Sequence, residues 1–425
     1  MRKVTDIHEW RDALERLAES CMGQAGMEYG VLPILLNSYD QLGDTMLKGC
    51  FLHCSLYPED CHIPRGELIE NFISEKLVER SNRSFRAEID LGHAILNQLE
   101  RVCLLERTSN GTDVKMHVLI RDMVIGIAKD NPRYMVKAGL HLREIPDVQE
   151  WTEDLDKVSL MDNSIKEISP GTFPKCPGLS TLILSGNPLK RIPDCFFAHM
   201  CGLRTLNLSL TKIQNLPNSI SDLENLRTLL LKFCNELESM PSLEKLKELR
   251  HLVFNCVQME EIIEDDKNEG GNISSADITF PRLLTLHLRN LPQLKSICKV
   301  LISCDSIRHI HLEGIKRIKK VPLYLQLLDG QPSPPPSLIL IWICREDKEW
   351  WESLDWDHHN ANSVLEHLKV FDQTLSAHRL VKECLANMVG WDSRQYQSWS
   401  LINMLFITIR EYWKNIIFHD CKSHA

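Results

Sequence analysis

The stretch LSTLILSGNPLKRIPDCFFAHMCGLRTLNLSLTKIQNLP, residues 179–217, contains one leucine pattern twice. The frame Leu-x-x-Leu-x-Leu starts at Leu179 and returns 24 residues later at Leu203. An asparagine or threonine follows each frame, at Asn187 and Thr211, where a polar side chain can hydrogen-bond the backbone as the chain leaves a strand. A period of about 20–29 residues with this frame is typical of leucine-rich repeats.

The frame occurs five times, and successive starts are 24, 24, 23 and 23 residues apart. These starts are Leu155, Leu179, Leu203, Leu226 and Leu249. Two weaker frames begin at Leu283 and Ile307, after an acidic insertion at 260–279. Ordinary leucine-rich amphipathic helices would not keep such even spacing. The pattern therefore predicts a solenoid in which each unit adds one short strand to a parallel sheet and its leucines to a shared core.

The residues between the frame leucines are predicted to point to solvent on the concave face, because side chains alternate along a strand. Many of them are basic, although the chain as a whole is acidic, so this face predicts an acidic surface on a protein partner. The alternative is a solvated face whose charges only maintain solubility. The candidate binding residues are Arg204, Asn207, Arg227, Lys232, Arg250, His251, His287 and Arg289.

The residues before the repeats predict several helices followed by a β-hairpin. Asn110-Gly111, between two apolar segments, is a strong hairpin signal, and helices followed by such a wing predict a winged-helix domain. DNA binding by this domain is disfavoured, because the helix that starts at Pro64 carries Glu67, Glu70 and Glu75, which phosphates would repel. The predicted helices are 33–42, one opened by Gly43-Asp44, one starting at Pro64, 85–101 and 117–129.

The overall composition fits a soluble protein and disfavours several classes. The 425 residues carry a net charge of −9, which argues against a general nucleic-acid binder. The N-terminus lacks the apolar segment of a secretory signal, and no stretch reaches the ~18 apolar residues of a membrane span. We therefore predict a cytoplasmic protein, whose 15 cysteines are reduced thiols that fill core positions.

One group of metal-ligand side chains needs weighing: Cys50, His53, Cys54, Cys61 and His62. It contains no Cys-x-x-Cys pair and no second pair at zinc-finger spacing, so buried core cysteines are favoured and no metal site is predicted. No catalytic dyad or triad can be placed either, so the sequence does not predict an enzyme.

Several segments resemble plant disease-resistance proteins of the coiled-coil, nucleotide-binding, leucine-rich repeat family. They are 6–10, 38–42, the run CFLHCSLYPED at 50–60, Met116-His117-Val118 and WWESLDWD at 350–357. The resemblance covers residues 1 to about 371 and implies a cytosolic sensor of pathogen effectors. In such receptors ADP holds the inactive state and exchange for ATP permits signalling, and His117 matches the histidine that approaches the ADP phosphate.

The sequence also departs from that family. It has no Gly-x-x-x-x-Gly-Lys-Ser/Thr loop to cradle phosphates, so no cofactor is expected unless a nucleotide-binding core supplies ADP binding, and His117 is then a relic. Val118 stands where the family has aspartate, and a lost cap there is expected to cost about 0.5–2 kcal/mol. The chain is thus interpreted as truncated, without the coiled coil and the phosphate-binding core.

We therefore predict a mixed α/β chain, with an N-terminal helical and winged-helix region followed by a leucine-rich repeat solenoid. The function predicted is plant innate immunity through binding of a protein partner: an effector, a guarded host protein or a full-length receptor. The alternatives are a residual ADP-binding switch component and a non-functional gene fragment. The predicted segments are the end of a helical subdomain at 1–24, the winged helix at 25–140, the repeats at 141–325, a C-terminal cap at 326–371 and a tail of unknown role at 372–425.

Overall fold

The structure of this protein is a computed structural model. It describes residues 35–78, 85–108, 111–128, 133–262, 278–297, 302–321, 323–328, 331–356, 358 and 360–372. The predicted helical segment at 1–24, most of the acidic insertion and all but the first residue of the predicted tail lie outside the described residues. The described chain divides into two compact units. The first holds residues up to Asn163 with 173–184 and 199–206, and the second holds 164–172, 185–198 and the residues from Asn207 onward.

The first unit begins with the predicted winged helix. Residues 35–40 are helical, and the chain then forms α1 (Thr45–Cys54), β1 (Ile63–Pro64), α2 (Arg65–Ser74), α3 (Phe85–Arg101), β2 (Glu106–Arg107), β3 (Asp113–Lys115) and α4 (Val118–Ile127). The strands form one antiparallel sheet in the order β1-β3-β2, which confirms the predicted hairpin wing. The helices pack around a core that includes Phe51, Leu68, Phe72, Leu96 and Leu99.

Local chemistry explains where these helices start. The Asp44 side chain accepts the backbone N–H of Met46 and caps α1, as the Gly43-Asp44 signal predicts. Pro64 was predicted as the first helical residue, but it is the residue before α2. Its backbone is extended because Pro64 belongs to β1 and pairs there with Asp113 of β3. Close packing of α2 and α3 needs a small residue, since a Cβ at Gly92 would lie 2.7 Å from a methyl carbon of Ile69.

The repeats supply a parallel sheet to each unit. In the first unit, β4 (Arg133–Val136), β5 (Leu155–Ser159), β6 (Thr181–Ile183) and β7 (Thr205–Asn207) lie side by side in chain order. In the second unit the neighbours, again in chain order, are β8 (Thr228–Lys232), β9 (His251–Asn255), β11 (Thr285–Arg289), β13 (His309–Glu313), β16 (Leu340–Cys344) and β17 (Lys369–Asp372). Short extra pairs are formed by β10 (Ile278–Thr279) with β12 (Ile302–Ser303), and by β14 (Gln326–Leu328) with β15 (Gln331–Ser333). α5 (Lys348–Glu352) and α6 (Ala361–Leu365) precede β17.

The register of the strands confirms the leucine frames. Val158 pairs with Leu182 in the first unit, and Leu252 pairs with both Leu229 and Leu286 in the second. Val158, Leu182 and Leu206 in the first unit have no exposed surface, and neither has Leu229 in the second, so within each unit the frame residues form a core.

In six of the described repeats the chain leaves its strand through one residue in the left-handed region. These residues are Asp162, Gly186, Leu210, Phe233, Asn290 and Gly314, with φ between 49° and 72°. Non-glycine residues adopt this conformation at a cost, because Cβ approaches the following carbonyl oxygen. After it comes the predicted polar position: Thr211 donates its hydroxyl to the Leu208 carbonyl at 2.7 Å, and Asn163 donates to the Leu160 carbonyl at 3.0 Å. The expected backbone bonds at this turn are therefore present.

The parallel sheet extends beyond the predicted repeat segment, 141–325, at both ends. The parallel sheet starts at β4, within the segment 25–140 assigned to the winged helix, because an edge strand with one neighbour needs no complete leucine frame. It also continues through β16 and β17, beyond position 325, where only a cap was predicted. The β16 frame, Leu338/Ile341/Ile343, begins 31 residues after Ile307, because the β14–β15 hairpin breaks the period.

Candidate protein-binding surface

In the first unit, the winged helix covers the non-core face of the sheet, meaning the side opposite the leucine core. Lys157 on β5 donates to the Glu75 carboxylate at 2.5 Å and to the Thr181 hydroxyl at 3.0 Å. Thr181 in turn donates to the other oxygen of Glu75 at 2.7 Å. The Glu75 and Lys157 side chains are only 1% and 4% exposed, so this ion pair is buried. We refer to Glu75, Lys157 and Thr181 as the junction cluster.

The junction cluster corrects one expectation. Thr181 and Ile183, predicted to point to solvent, are buried. A second contact between the sheet and the winged helix lies on the same face: the Ser159 hydroxyl donates to the Leu56 carbonyl of the winged helix at 2.5 Å. The first repeats therefore use their non-core face to hold the winged helix, and this part of the predicted binding face is closed.

Burial and charge together set the protonation of the junction. Burial raises the pKa of Glu75, but Lys157 and His53 outweigh it and bring that pKa down to about 2. Burial and then the charge of Lys157 lower the pKa of His53 to about 3, against the opposing effect of Glu75. Among the described residues, neither ring nitrogen of His53 has a hydrogen-bond partner, and the ring packs edge-on to Phe72 at 5.8 Å. At neutral pH the junction therefore contains a charged pair beside a neutral imidazole.

In the second unit the non-core face carries polar and aromatic residues in aligned rows. His287 pairs in register with Val253 and His311, and His311 pairs with Trp342. The rings of His287 and His311 lie 5.4 Å apart, and those of His311 and Trp342 lie 4.0 Å apart. The sequence did not predict Trp342 as a residue of this face, because the interrupted repeat period left the β16 frame unrecognised.

The neighbouring row holds the charged residues of the face. Lys232 pairs in register with Asn255, Asn255 with Arg289, and Arg289 with Glu313. Arg289 donates its Nε to the Glu313 carboxylate at 2.8 Å. Lys232 and Arg289, both predicted binding residues, are half-buried, as are Arg227, Arg250 and His287.

Two predicted binding residues are not available in the structure. Asn207 is 6% exposed, and its side-chain oxygen accepts the backbone N–H of Ser209 at 3.0 Å. His251 is 4% exposed, and its Nδ1 shares a hydrogen bond with the Thr285 hydroxyl at 2.9 Å. The prediction of solvent exposure was wrong for both, because Asn207 bonds the turn that follows its own strand and His251 bonds Thr285 on the neighbouring strand. Arg204, in the first unit, is exposed as predicted.

The histidines contribute no positive charge to this face at neutral pH. Burial lowers the pKa of His251 to about 4, with Arg250 as the next cause. Burial and then His311 lower the pKa of His287 to about 3. Burial also lowers the pKa of His309, with Arg308 as the next cause. The predicted basic character therefore comes from arginine and lysine alone.

His117 occupies the N-cap of α4. Its backbone is extended, at φ −63° and ψ 144°, and its Nδ1 accepts the backbone N–H of Leu119 at 3.2 Å. Val118 is thus the first helical residue and not the cap. The prediction that Val118 costs the chain a helix cap is therefore wrong. The ring of His117 supplies the cap, and this bond requires Nδ1 to be unprotonated.

The cysteine and histidine group weighed as a metal site is part of the winged-helix core. Cys50, Cys54 and Cys61 are buried, and Cys54 donates its thiol to the Cys50 carbonyl at 3.2 Å. Burial raises the pKa of Cys54 to about 12. Within the described ranges, no three histidine, cysteine or acidic side chains are placed to hold a metal ion. Likewise, none of the helices in the described part of the chain has the length and apolar character to span a membrane.

Comparisons with known proteins match both parts of the fold. Residues 56–124 match the Disease resistance protein Winged helix domain family, and residues 177–237 match the Leucine rich repeat family. Three Arabidopsis thaliana relatives are similar over more than half of this chain. Disease resistance protein RPS5 is 38% identical over 58% of this chain and 28% of its own length. Disease resistance protein UNI is 39% identical over 60% of this chain and 28% of its own length. Disease resistance protein SUMM2 is 39% identical over 52% of this chain and 25% of its own length.

The chain spans between a quarter and a third of the length of these relatives. Within that span the order of parts agrees with the sequence interpretation, since a winged helix precedes leucine-rich repeats. The chain belongs to the plant disease-resistance proteins that combine a winged-helix domain with leucine-rich repeats.

Proposed function

We propose that this chain serves plant defence as part of a cytoplasmic receptor that recognises another protein through its leucine-rich repeats. The partner is a pathogen effector, a guarded host protein or a full-length receptor. The single observation that supports the proposal best is the non-core face of the second unit. It carries aligned aromatic and basic side chains on neighbouring strands, and rigid parallel strands are a good base for a binding surface.

The chemistry of this face favours a macromolecular partner. Aromatic residues and arginine are enriched at the centre of protein interfaces, and here Trp342, His311 and Arg289 lie on three adjacent strands. The Arg289–Glu313 pair is partly buried, so it holds the arginine side chain in place before a partner arrives. Preorganisation of this kind lowers the entropy cost of binding.

The test is a pull-down from plant tissue that contains the recognised pathogen, with the full chain as bait and mass spectrometry as readout. The Arg227→Glu/Arg250→Glu double variant is expected to capture its partner at least tenfold less well, because reversing two charges at an interface opposes the partner's charge. The matched control is Arg191→Glu/Lys212→Glu, which reverses two exposed charges outside the strands. Equal capture by both double variants and the unmodified chain would contradict the proposal.

A further inference from the structure

An arginine occupies the same place, immediately before the strand, in three repeats of the second unit. Arg227 precedes β8, Arg250 precedes β9 and Arg308 precedes β13. The intervening repeat has Leu284 at this place, and the repeat of β16 has Ile339. We call these five positions the arginine column.

Backbone hydrogen bonds fix the spacing of the arginine column. The N–H of Arg250 donates to the Arg227 carbonyl at 2.7 Å, and Leu284 donates to Arg250 at 2.8 Å. Arg308 then donates to Leu284, and Ile339 donates to Arg308, both at 2.9 Å. Because neighbouring strands lie about 4.8 Å apart, the three arginines span about 14 Å along one edge of the sheet.

The charge of this surface opposes that of the chain. Three rows of residues cross the non-core face of β8, β9, β11, β13 and β16: the two described above, with Leu230 and Cys344 as their further members, and a row at the start of the strands formed by Thr228, His251, Thr285, His309 and Leu340. The arginine column and these rows contain five arginine or lysine residues and one acidic residue. The basic residues are Arg227, Lys232, Arg250, Arg289 and Arg308, and the acidic residue is Glu313. The whole protein has a net charge of −9. Glu313 is bonded to Arg289, so it does not neutralise the column.

The field of the column acts on the strands beside it. Arg250 helps to lower the pKa of His251, and Arg308 helps to lower the pKa of His309, in each case after burial as the larger cause. Both histidines follow their arginine directly in sequence and lie at the start of a strand. The positive potential thus extends from the column onto the non-core face.

The far end of the column is apolar. Ile339 is 59% exposed, which is a high exposure for a large aliphatic residue next to a strand. Trp342 lies three residues later, partly exposed, on β16. A ligand that follows the arginines therefore meets an aliphatic and an aromatic side chain at the end of its path.

We propose that the arginine column binds an extended acidic peptide segment of a partner protein, about five residues long, that ends in an aromatic or apolar residue packed near Ile339 and Trp342. This inference rests on the proposed protein-binding function and specifies the chemistry of the partner. Extended chain rises about 3.3 Å per residue, so four to five residues cover the span of the three arginines. Arginine suits such a ligand because its guanidinium holds carboxylates with two parallel hydrogen bonds.

The experiment measures fluorescence anisotropy of labelled hexapeptides with the full chain. The acidic probe alternates aspartate and glutamate and ends in tryptophan, and it is compared with the same peptide in asparagine and glutamine, and with the acidic peptide ending in glycine. We expect the acidic tryptophan probe to bind at least tenfold more tightly than either, and its affinity to fall as salt rises. Equal binding of the acidic and the amide probe would overturn the inference.

Variants locate the site. Arg250→Glu and Arg308→Glu are each expected to weaken binding of the acidic probe about tenfold, whereas Arg191→Glu, an exposed arginine outside the column, leaves it unchanged. Circular dichroism spectra that match the unmodified chain show that each variant is folded. If Arg191→Glu weakens binding as much as the column variants, attraction is general and the inference fails.

A single-stranded oligonucleotide of equal charge separates an acidic protein segment from any polyanion. Tighter binding of the oligonucleotide, with the same loss in the column variants, would overturn the peptide assignment.

Failure of the inference is distinguishable from failure of the proposed function. If the pull-down partner depends on Arg227 and Arg250 but no acidic probe is preferred, protein binding stands and the acidic segment does not.

Discussion

Replacing Lys157 with methionine is expected to lower the free energy of unfolding by about 3–5 kcal/mol, because the change leaves the Glu75 carboxylate buried without its cation. Among the described residues, the Thr181 hydroxyl then remains as the side-chain donor to this carboxylate. Urea denaturation followed by circular dichroism measures the loss. The reciprocal change, Glu75→Gln, is expected to cost a similar amount, because it leaves the ammonium group of Lys157 buried and unpaired.

The double variant Glu75→Gln/Lys157→Met tests whether the pair itself carries the effect. It removes both charges and should recover at least about 2 kcal/mol of the summed single losses, as expected for two residues in direct contact. Lys137→Met is the matched control, because Lys137 pairs with Glu150 at the surface, where both side chains are partly exposed. A surface pair contributes at most about 1 kcal/mol. Equal losses for Lys157→Met and Lys137→Met would refute a stabilising junction cluster.

Replacing Asp162 with asparagine is expected to stabilise the chain at pH 7 by about 1–3 kcal/mol, because the folded chain must protonate a carboxyl group that stays ionised in the unfolded chain. Burial raises the pKa of Asp162 to about 8, and its Oδ1 atom has no hydrogen-bond partner in the described part of the chain. The residue also has a φ of 54°, a conformation that asparagine tolerates as well as aspartate. The substitution thus removes the cost of protonating this carboxyl group on folding and adds no backbone strain.

The stabilisation by Asp162→Asn should depend on pH in a defined direction. The folded-state pKa lies above the unfolded value of 3.8, so the folded chain binds the extra proton between these two values. Stability linked to Asp162 is then fully present below pH 3.8 and is lost as the pH rises through about 8. The advantage of the asparagine variant is therefore near zero at pH 4 and largest above pH 8.

Melting temperatures of both chains between pH 4 and pH 9 measure this difference. Asp60→Asn is the matched control, because Asp60 also has a positive φ, of 50°, but is exposed. An exposed substitution of this kind changes stability by about 0.5 kcal/mol or less. A difference for Asp162→Asn that stays constant with pH would show that its carboxyl group titrates as an exposed one does.

The repeat core was the part of the structure most open to prediction from sequence. A frame that returns every 23 or 24 residues fixes which side chains enter the core, and Leu229, Leu252 and Leu286 pair as that frame requires. The hairpin and the helix at 85–101 were also predictable, because local signals such as Asn-Gly and a 3.6-residue apolar period determine them. Strands β4 and β16 were not, since one lacks the leucine frame and the other is out of period.

The state of the binding face could not be predicted from periodicity. Alternation along a strand shows which side chains leave the core, but it does not show what covers them afterwards. Lys157 and Thr181 meet Glu75, which lies 82 residues before Lys157 in the chain, so only the tertiary structure reveals that the face is closed there. His251 likewise has a low pKa because of burial, which a count of basic residues does not include.

Hydrogen–deuterium exchange on the full chain, with and without the partner recovered in the pull-down, tests most directly whether the chain binds protein through the non-core face of its second unit. We predict slower exchange at 227–232, 250–255 and 308–313 in the complex, with 157–159 and 181–183 unchanged, because the winged helix already covers those strands. Protection confined to 157–159 and 181–183, or to segments outside the strands, with 227–232, 250–255 and 308–313 unaffected, would contradict the account.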